Sequence, residues 1–131
     1  MTVKSGWQEA GRISLISGGT IEQYDQVVVS GNGVVTAAGS GGAAIGVAMT
    51  AATATGLSID VLPYNASGTA PAVTAASVTA GAPVYTFTSG LVKATTTAAS
   101  GTACRIGVCV VGSTSTGDQI AFVPGLSPAT T

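Results

Sequence analysis

Side chains able to do chemistry are scarce in this sequence. Histidine is absent, the carboxylates are Glu9, Glu22, Asp25, Asp60 and Asp118, the cations are Lys4, Arg12, Lys93 and Arg105, and the thiols are Cys104 and Cys109. A nucleophile needs a base within hydrogen-bond reach, and without histidine that work falls to the carboxylates. Glu22 and Asp25 are three positions apart among polar neighbours, a spacing that solvates a turn more readily than it builds an acid and base pair. Asp60 and Asp118 lie near related turns but at non-equivalent positions, which argues against a repeated metal site. On one strand, Cys104 and Cys109 would point to opposite faces about 16 Å apart, beyond disulfide reach, so free thiols are expected. Two cysteines without histidine do not complete a tetrahedral metal shell. A nucleophile elbow, a phosphate-binding Gly-Lys loop and a dinucleotide fingerprint are all missing from the sequence. Gly39 to Gly42 reads as a linker, because no helix follows to complete a phosphate cradle. The expectation is a protein that is not an enzyme, with no catalytic residue, metal or cofactor.

Binding functions are narrowed in the same way. Four cations in 131 residues cannot neutralise a run of phosphates, which disfavours nucleic acid as a partner. The first sixteen residues carry Lys4, Glu9 and Arg12 and lack an apolar core, so a cleaved signal is not expected and the cytosol is the expected site of synthesis. The Asn65-Ala-Ser67 sequon is then a chance match. The uncharged stretch from Gln26 to Ile59 is interrupted by Ser, Thr, Asn and Gly and reads as strands and turns, with no membrane partner. Threonine pairs recur at irregular spacing, which does not make the flat ladder of an ice-binding face. Tyr24, Tyr64 and Tyr85 are the candidates for an aromatic platform, should the chain be a glycan-binding module. Each also reads as a half-buried strand or turn tyrosine.

The elements that position these residues emerge from an internal repeat. Ile45 to Pro63 aligns without gaps on Ile106 to Pro124, with eight of nineteen positions identical, including Ile-Gly-Val, Thr-x-Thr-Gly and the Ile-to-Pro frame. Ala43 to Ala54 alone is compatible with a helix, since alanine has the best helix propensity. Its counterpart around Arg105 to Val111 is β-branched and reads as a strand, and related segments share a fold. Each strand leads through the Thr-x-Thr-Gly turn into another, with Ile59 and Val61, or Ile120 and Phe122, facing one side. Upstream lie two hairpins with turns at Asn32-Gly33 and Ser89-Gly90. Pro71 to Val78 reads as one further strand linking the halves. The fold class expected is mainly β: a small single-domain barrel or sandwich built from two related β units, with an extended N-terminal segment.

Composition divides the chain. Residues 1–25 hold five of the nine charges and the only tryptophan, Trp7; residues 26–124 form the β domain, with its repeat at roughly 26–63 and 82–124; residues 125–131 read as a flexible tail. Trp7 either caps the barrel or anchors a docking arm, as tryptophan is enriched at interface anchors. Leu, Ile, Val and Phe together make up fewer than a quarter of the residues, so the core is thin and stability is expected to be shared with an oligomer.

The succession Tyr24-Asp-Gln-Val-Val-Val, Ile45-Gly-Val-Ala, Ala80-Gly-Ala-Pro-Val-Tyr85, Gly90-Leu-Val-Lys-Ala-Thr, Ile106-Gly-Val and Gly117-Asp-Gln-Ile-Ala-Phe-Val resembles the small capsid decoration, or cement, proteins of tailed bacteriophages. The resemblance covers about residues 20–124 and is closer in the second half; Gly56-Leu57 departs from the Gly-Asp step. It implies a β-rich virion protein, often trimeric, on the outer surface of the head, which binds the major capsid protein and stabilises the expanded shell. Lys4, Trp7, Glu9 and Arg12 are then the candidate capsid-binding residues.

Overall fold

The computed structural model describes residues 11–39, 42–65, 68–94 and 104–125. Among these residues ten strands fall into two units of five, and the fold is almost entirely β. The first unit contains β1 (Ile13–Ser17), β2 (Gln26–Gly31), β3 (Val34–Ala37), β4 (Gly46–Ala48) and β5 (Ser58–Pro63), closed into a barrel in the order β1-β3-β2-β4-β5. The second contains β6 (Ala70–Val73), β7 (Pro83–Thr86), β8 (Val92–Lys93), β9 (Arg105–Val111) and β10 (Gln119–Pro124), in the order β6-β10-β9-β7-β8.

These units are the same fold twice. In the first, β1 runs antiparallel to β5 and parallel to β3; in the second, β6 runs antiparallel to β10 and meets β8 through one parallel bridge, Thr74 to Val92. Register matches residue for residue: Leu15 faces Ile59 as Ala72 faces Ile120, and Val27 faces Gly46 as Val84 faces Gly107. The connecting amides match as well. Gly18 donates to the Val35 carbonyl as Ala75 does to that of Val92, Tyr24 to Ala48 as Gly81 to Cys109, and Gly56 to Ser17 as Gly117 to Thr74, all at 2.7–2.8 Å. Even the buried hydroxyls correspond, for Ser17 Oγ donates to the Ala54 carbonyl and Thr74 Oγ1 to that of Ser115. The repeat therefore begins with β1 and β6, earlier than residue identity alone delimits. Ala70–Val73 opens the second unit, and within the N-terminal segment residues 13–17 are a stave of the first barrel.

Local sequence accounts for the elements. The strands alternate as the period of two requires: Ile59 and Val61, like Ile120 and Phe122, are buried, while Asp60 and Ala121 between them face outward. Gly33 (φ 73°) and Gly90 (φ 76°) supply the left-handed turn position of the two hairpins. The alanine-rich stretch after Ala43 forms β4, because its pairing with β2 and β5 outweighs alanine's helix propensity. The shared Ile-Gly-Val has a steric cause. A Cβ on Gly46 would land on the Leu62 carbonyl oxygen, and one on Gly107 on the Val123 carbonyl oxygen, so neighbouring strands approach too closely for any side chain.

The first barrel is filled by Leu15, Ile21, Val27, Val35, Ala48, Ala52, Ile59 and Val61. The second core is mixed. Val78, Val84, Val92, Ile106, Cys109, Ile120 and Phe122 share one cluster with Ala38, Ala44, Val47 and Tyr64 of the first unit.

Gly46→Ala and Gly107→Ala are each expected to destabilise the protein by about 2–3 kcal/mol, the cost of overpacking against backbone that cannot yield. Gly19→Ala, where a Cβ meets nothing within 4 Å, is expected to stay within about 0.5 kcal/mol of wild type. Urea unfolding of the three variants measures the contrast.

Candidate functional site

Of the four residues proposed to dock, Lys4, Trp7 and Glu9 lie outside the described residues. Arg12 immediately precedes β1, and its guanidinium stands 4.0 Å from the Asp60 carboxylate on β5, both side chains about half exposed. An exposed pair of this kind contributes about 0–1 kcal/mol, so Arg12 is held loosely on the outer face of the first barrel.

Among the described residues, no group of three or more His, Cys, Asp or Glu side chains is close enough to hold a metal ion. Two of the carboxylates, Asp25 and Asp118, are occupied by turns. Asp25 accepts the Glu22 amide at 2.9 Å while the Asp25 amide donates back to the Glu22 carbonyl, and Asp118 accepts the Ser115 hydroxyl at 2.9 Å. Cys104 and Cys109 are free thiols, and burial pushes both above their ordinary value, away from the nucleophilic thiolate. A shallow surface cleft of about 440 Å³ beside Val78, Gly112, Ser113 and Asp118 contains one carboxylate and no cation. Tyr64 and Tyr85 are buried, and Tyr24 is half-buried with its ring packed on the second core, so the three tyrosines do not form an exposed platform.

What the fold does assemble is a seam between the two units. Gln26 has no solvent exposure; its side-chain amide donates to the Tyr24 and Pro71 carbonyls at 3.3 Å each, and its Oε1 accepts the Tyr64 hydroxyl. Both donor hydrogens and the acceptor of this buried amide are therefore used, as burial demands. The Tyr64 ring meets Phe122 edge-on at 5.9 Å, inside the second core. Burial pushes the Tyr64 hydroxyl far above its ordinary pKa, which keeps it a neutral donor. Thr86 Oγ1 donates to the Gly42 carbonyl at 3.1 Å, and the Gly90 amide donates to that of Ala38 at 2.8 Å. Tyr24 holds a left-handed backbone (φ 72°) where the second unit has Gly81 (φ 90°), and the packing of its ring at the seam offsets that strain.

Sequence reasoning placed Tyr64 among ligand candidates and Gln26 at the start of a hairpin, and it missed their pairing. The available signal was their lack of counterparts: the equivalent positions in the second unit are Pro83 and Gly125.

Searches against protein-family models and against curated proteins find no match for this chain.

Asp25 supplies the site's pH dependence. Its carboxyl is buried against Gly90, and desolvation, opposed by the Glu22 amide hydrogen bond and reinforced by the Glu22 charge, raises its pKa from 3.8 to about 6. Since the folded state holds this proton more tightly than the unfolded chain, stability falls as pH rises from about 4 to 6 and stays lower above. Asp25→Asn keeps an acceptor for the Glu22 amide and removes the buried charge. It is expected to be more stable than wild type by about 2–3 kcal/mol at pH 7.5, an advantage that shrinks toward zero by pH 4. Thermal unfolding across that range measures it; a pH-independent difference would contradict the assignment.

Proposed function

We propose that this chain is a virion structural protein: a decoration, or cement, protein that binds the outside of a tailed-phage capsid and stabilises the expanded head. The observation that carries the proposal is where the motifs of the resemblance fall. Ala80 to Tyr85, Ile106-Gly-Val108 and Gly117 to Val123 form the left-handed turns, the close strand approach and the inward alternation of the second unit, and the first unit repeats that framework. The motifs thus belong to a scaffold whose exposed surface is short of charge and polar clefts, which suits a protein that works by covering another protein's surface. The partner would be the major capsid protein, and the assembly a homotrimer on the outer capsid surface.

Attachment is assigned to the charged N-terminal segment, with Trp7 as anchor and Lys4, Glu9 and Arg12 around it. Burying one tryptophan contributes about 4–6 kcal/mol by area before ordering costs reduce it, so repetition across an oligomer supplies the remainder by avidity. A glycan-binding module would need the exposed aromatic platform that Tyr64 and Tyr85, being buried, do not provide.

Co-sedimentation with expanded and unexpanded heads, built from the major capsid protein of the same genome, tests the proposal. The expected outcome is saturable binding to expanded heads, weakened at least tenfold by Trp7→Ala. Absence from both kinds of head would overturn it, and unchanged binding of Trp7→Ala would move the anchor elsewhere.

A further inference from the structure

The two units are equivalent in fold but not in what covers them. In the first, Val47 on β4 and Leu62 on β5 point away from their own barrel and pack, with Met49, on the second unit's core. Their equivalents are Val108, Val110 and Val123. Val108 is half-buried, and Val110 and Val123 are 44% and 48% exposed, with Val111 beside them at 60%. The surface that the first unit buries inside the chain is thus present again on the second unit, apolar and uncovered.

The complementary side is duplicated too. The second unit receives the first through the Pro71 carbonyl on β6, the Thr86 hydroxyl and the Gly90 amide. On the first unit these positions are Ser14, Val29 and Gly33, and around them Ile16 and Val29 are exposed at 37% and 59%. Apolar side chains exposed together, unlike ones scattered singly, mark interaction surfaces, and Val123 pairs directly with Val108 across β9 and β10. Here they recur where the internal seam has its two halves.

We propose that a second copy of this chain covers the Val108–Val123 face with the Ile16–Val29 side of its own first unit, so that copies join head to tail and each contact between chains repeats the seam within a chain. The inserting parts have changed consistently. The second unit has Gly125 where the first has Tyr64, so it offers no ring to insert. The first barrel is closed by two parallel β1–β3 pairs where the second has one bridge, so it offers no opening to receive one. The contact between chains is flat and apolar, weaker than the seam, and reversible. A head-to-tail contact closes into a ring when its rotation permits. This deepens the oligomeric part of the decoration proposal.

Sedimentation equilibrium of the 131-residue chain tests it with Val123→Glu on one side of the contact and Val29→Glu on the other; both sites are exposed, so each variant is expected to keep the wild-type circular dichroism. Wild type is expected as a closed oligomer and each variant alone as a single chain of 12.5 kDa. An equimolar mixture of the two is expected to form a two-chain complex and no larger species, because it retains one intact pair of faces. A monomeric wild type, a Val123→Glu protein that keeps the wild-type mass, or a Val29→Glu protein that does so would each overturn the head-to-tail contact. Head binding is read separately: bare heads with the wild-type ring intact would overturn the capsid proposal and leave this one standing.

Discussion

The structure depends on one packing constraint: the second unit is not complete without the first. Among the described residues a single bridge joins β6 to β8, and Ala38, Ala44, Val47 and Tyr64 of the first unit belong to the second unit's core. The buried amide of Gln26 fixes the geometry, since its three hydrogen bonds tie β2, the segment after β5 and β6 together. A polar group buried this deeply costs stability if any partner is lost, so it selects one arrangement of the units over sliding alternatives. A thin core of small residues is sufficient because the second unit's sheet shares part of its core with the first barrel.

From that constraint follows the character of the surface. Small residues let strands pass closely, as at Gly46 and Gly107, but they leave few side chains with which to do chemistry. Asp25 and Asp118 serve turns, Cys109 is buried and Cys104 half-buried, and Tyr24 and Tyr64 pack at the seam instead of facing solvent. Faces are what remain: exposed valines on the second unit, and exposed Ile16 and Val29 on the first.

Much of the fold was legible in the sequence because turn and close-approach glycines leave identities behind. Ile-Gly-Val and Thr-x-Thr-Gly recur since Gly46 and Gly107, and Gly56 and Gly117, meet the same backbone demands. The first strand of each unit was harder. Ile13–Ser17 and Ala70–Val73 share only an alternation of inward apolar positions, which a range of residues satisfies, so β1 reads as part of an N-terminal arm or strand segment and β6 as the start of a strand linking the halves. The seam was illegible for a deeper reason. Gln26 and Tyr64 lie thirty-eight residues apart and have no partner in the repeat, and only tertiary packing brings them together. The alignment gave the two units as equals, whereas their packing makes one depend on the other.

Amide hydrogen exchange on the 131-residue chain carrying Ile59→Ala tests that dependence. Ile59 belongs to the first barrel's core and not to the cluster shared with the second unit. Its truncation removes about 2–5 kcal/mol of stability, or at least roughly 30-fold in protection. The account predicts that Ala75, Gly81 and Gly117 of the second unit lose protection by the same factor as their equivalents Gly18, Tyr24 and Gly56. Loss confined to the first unit, with the second exchanging as in wild type, would contradict it.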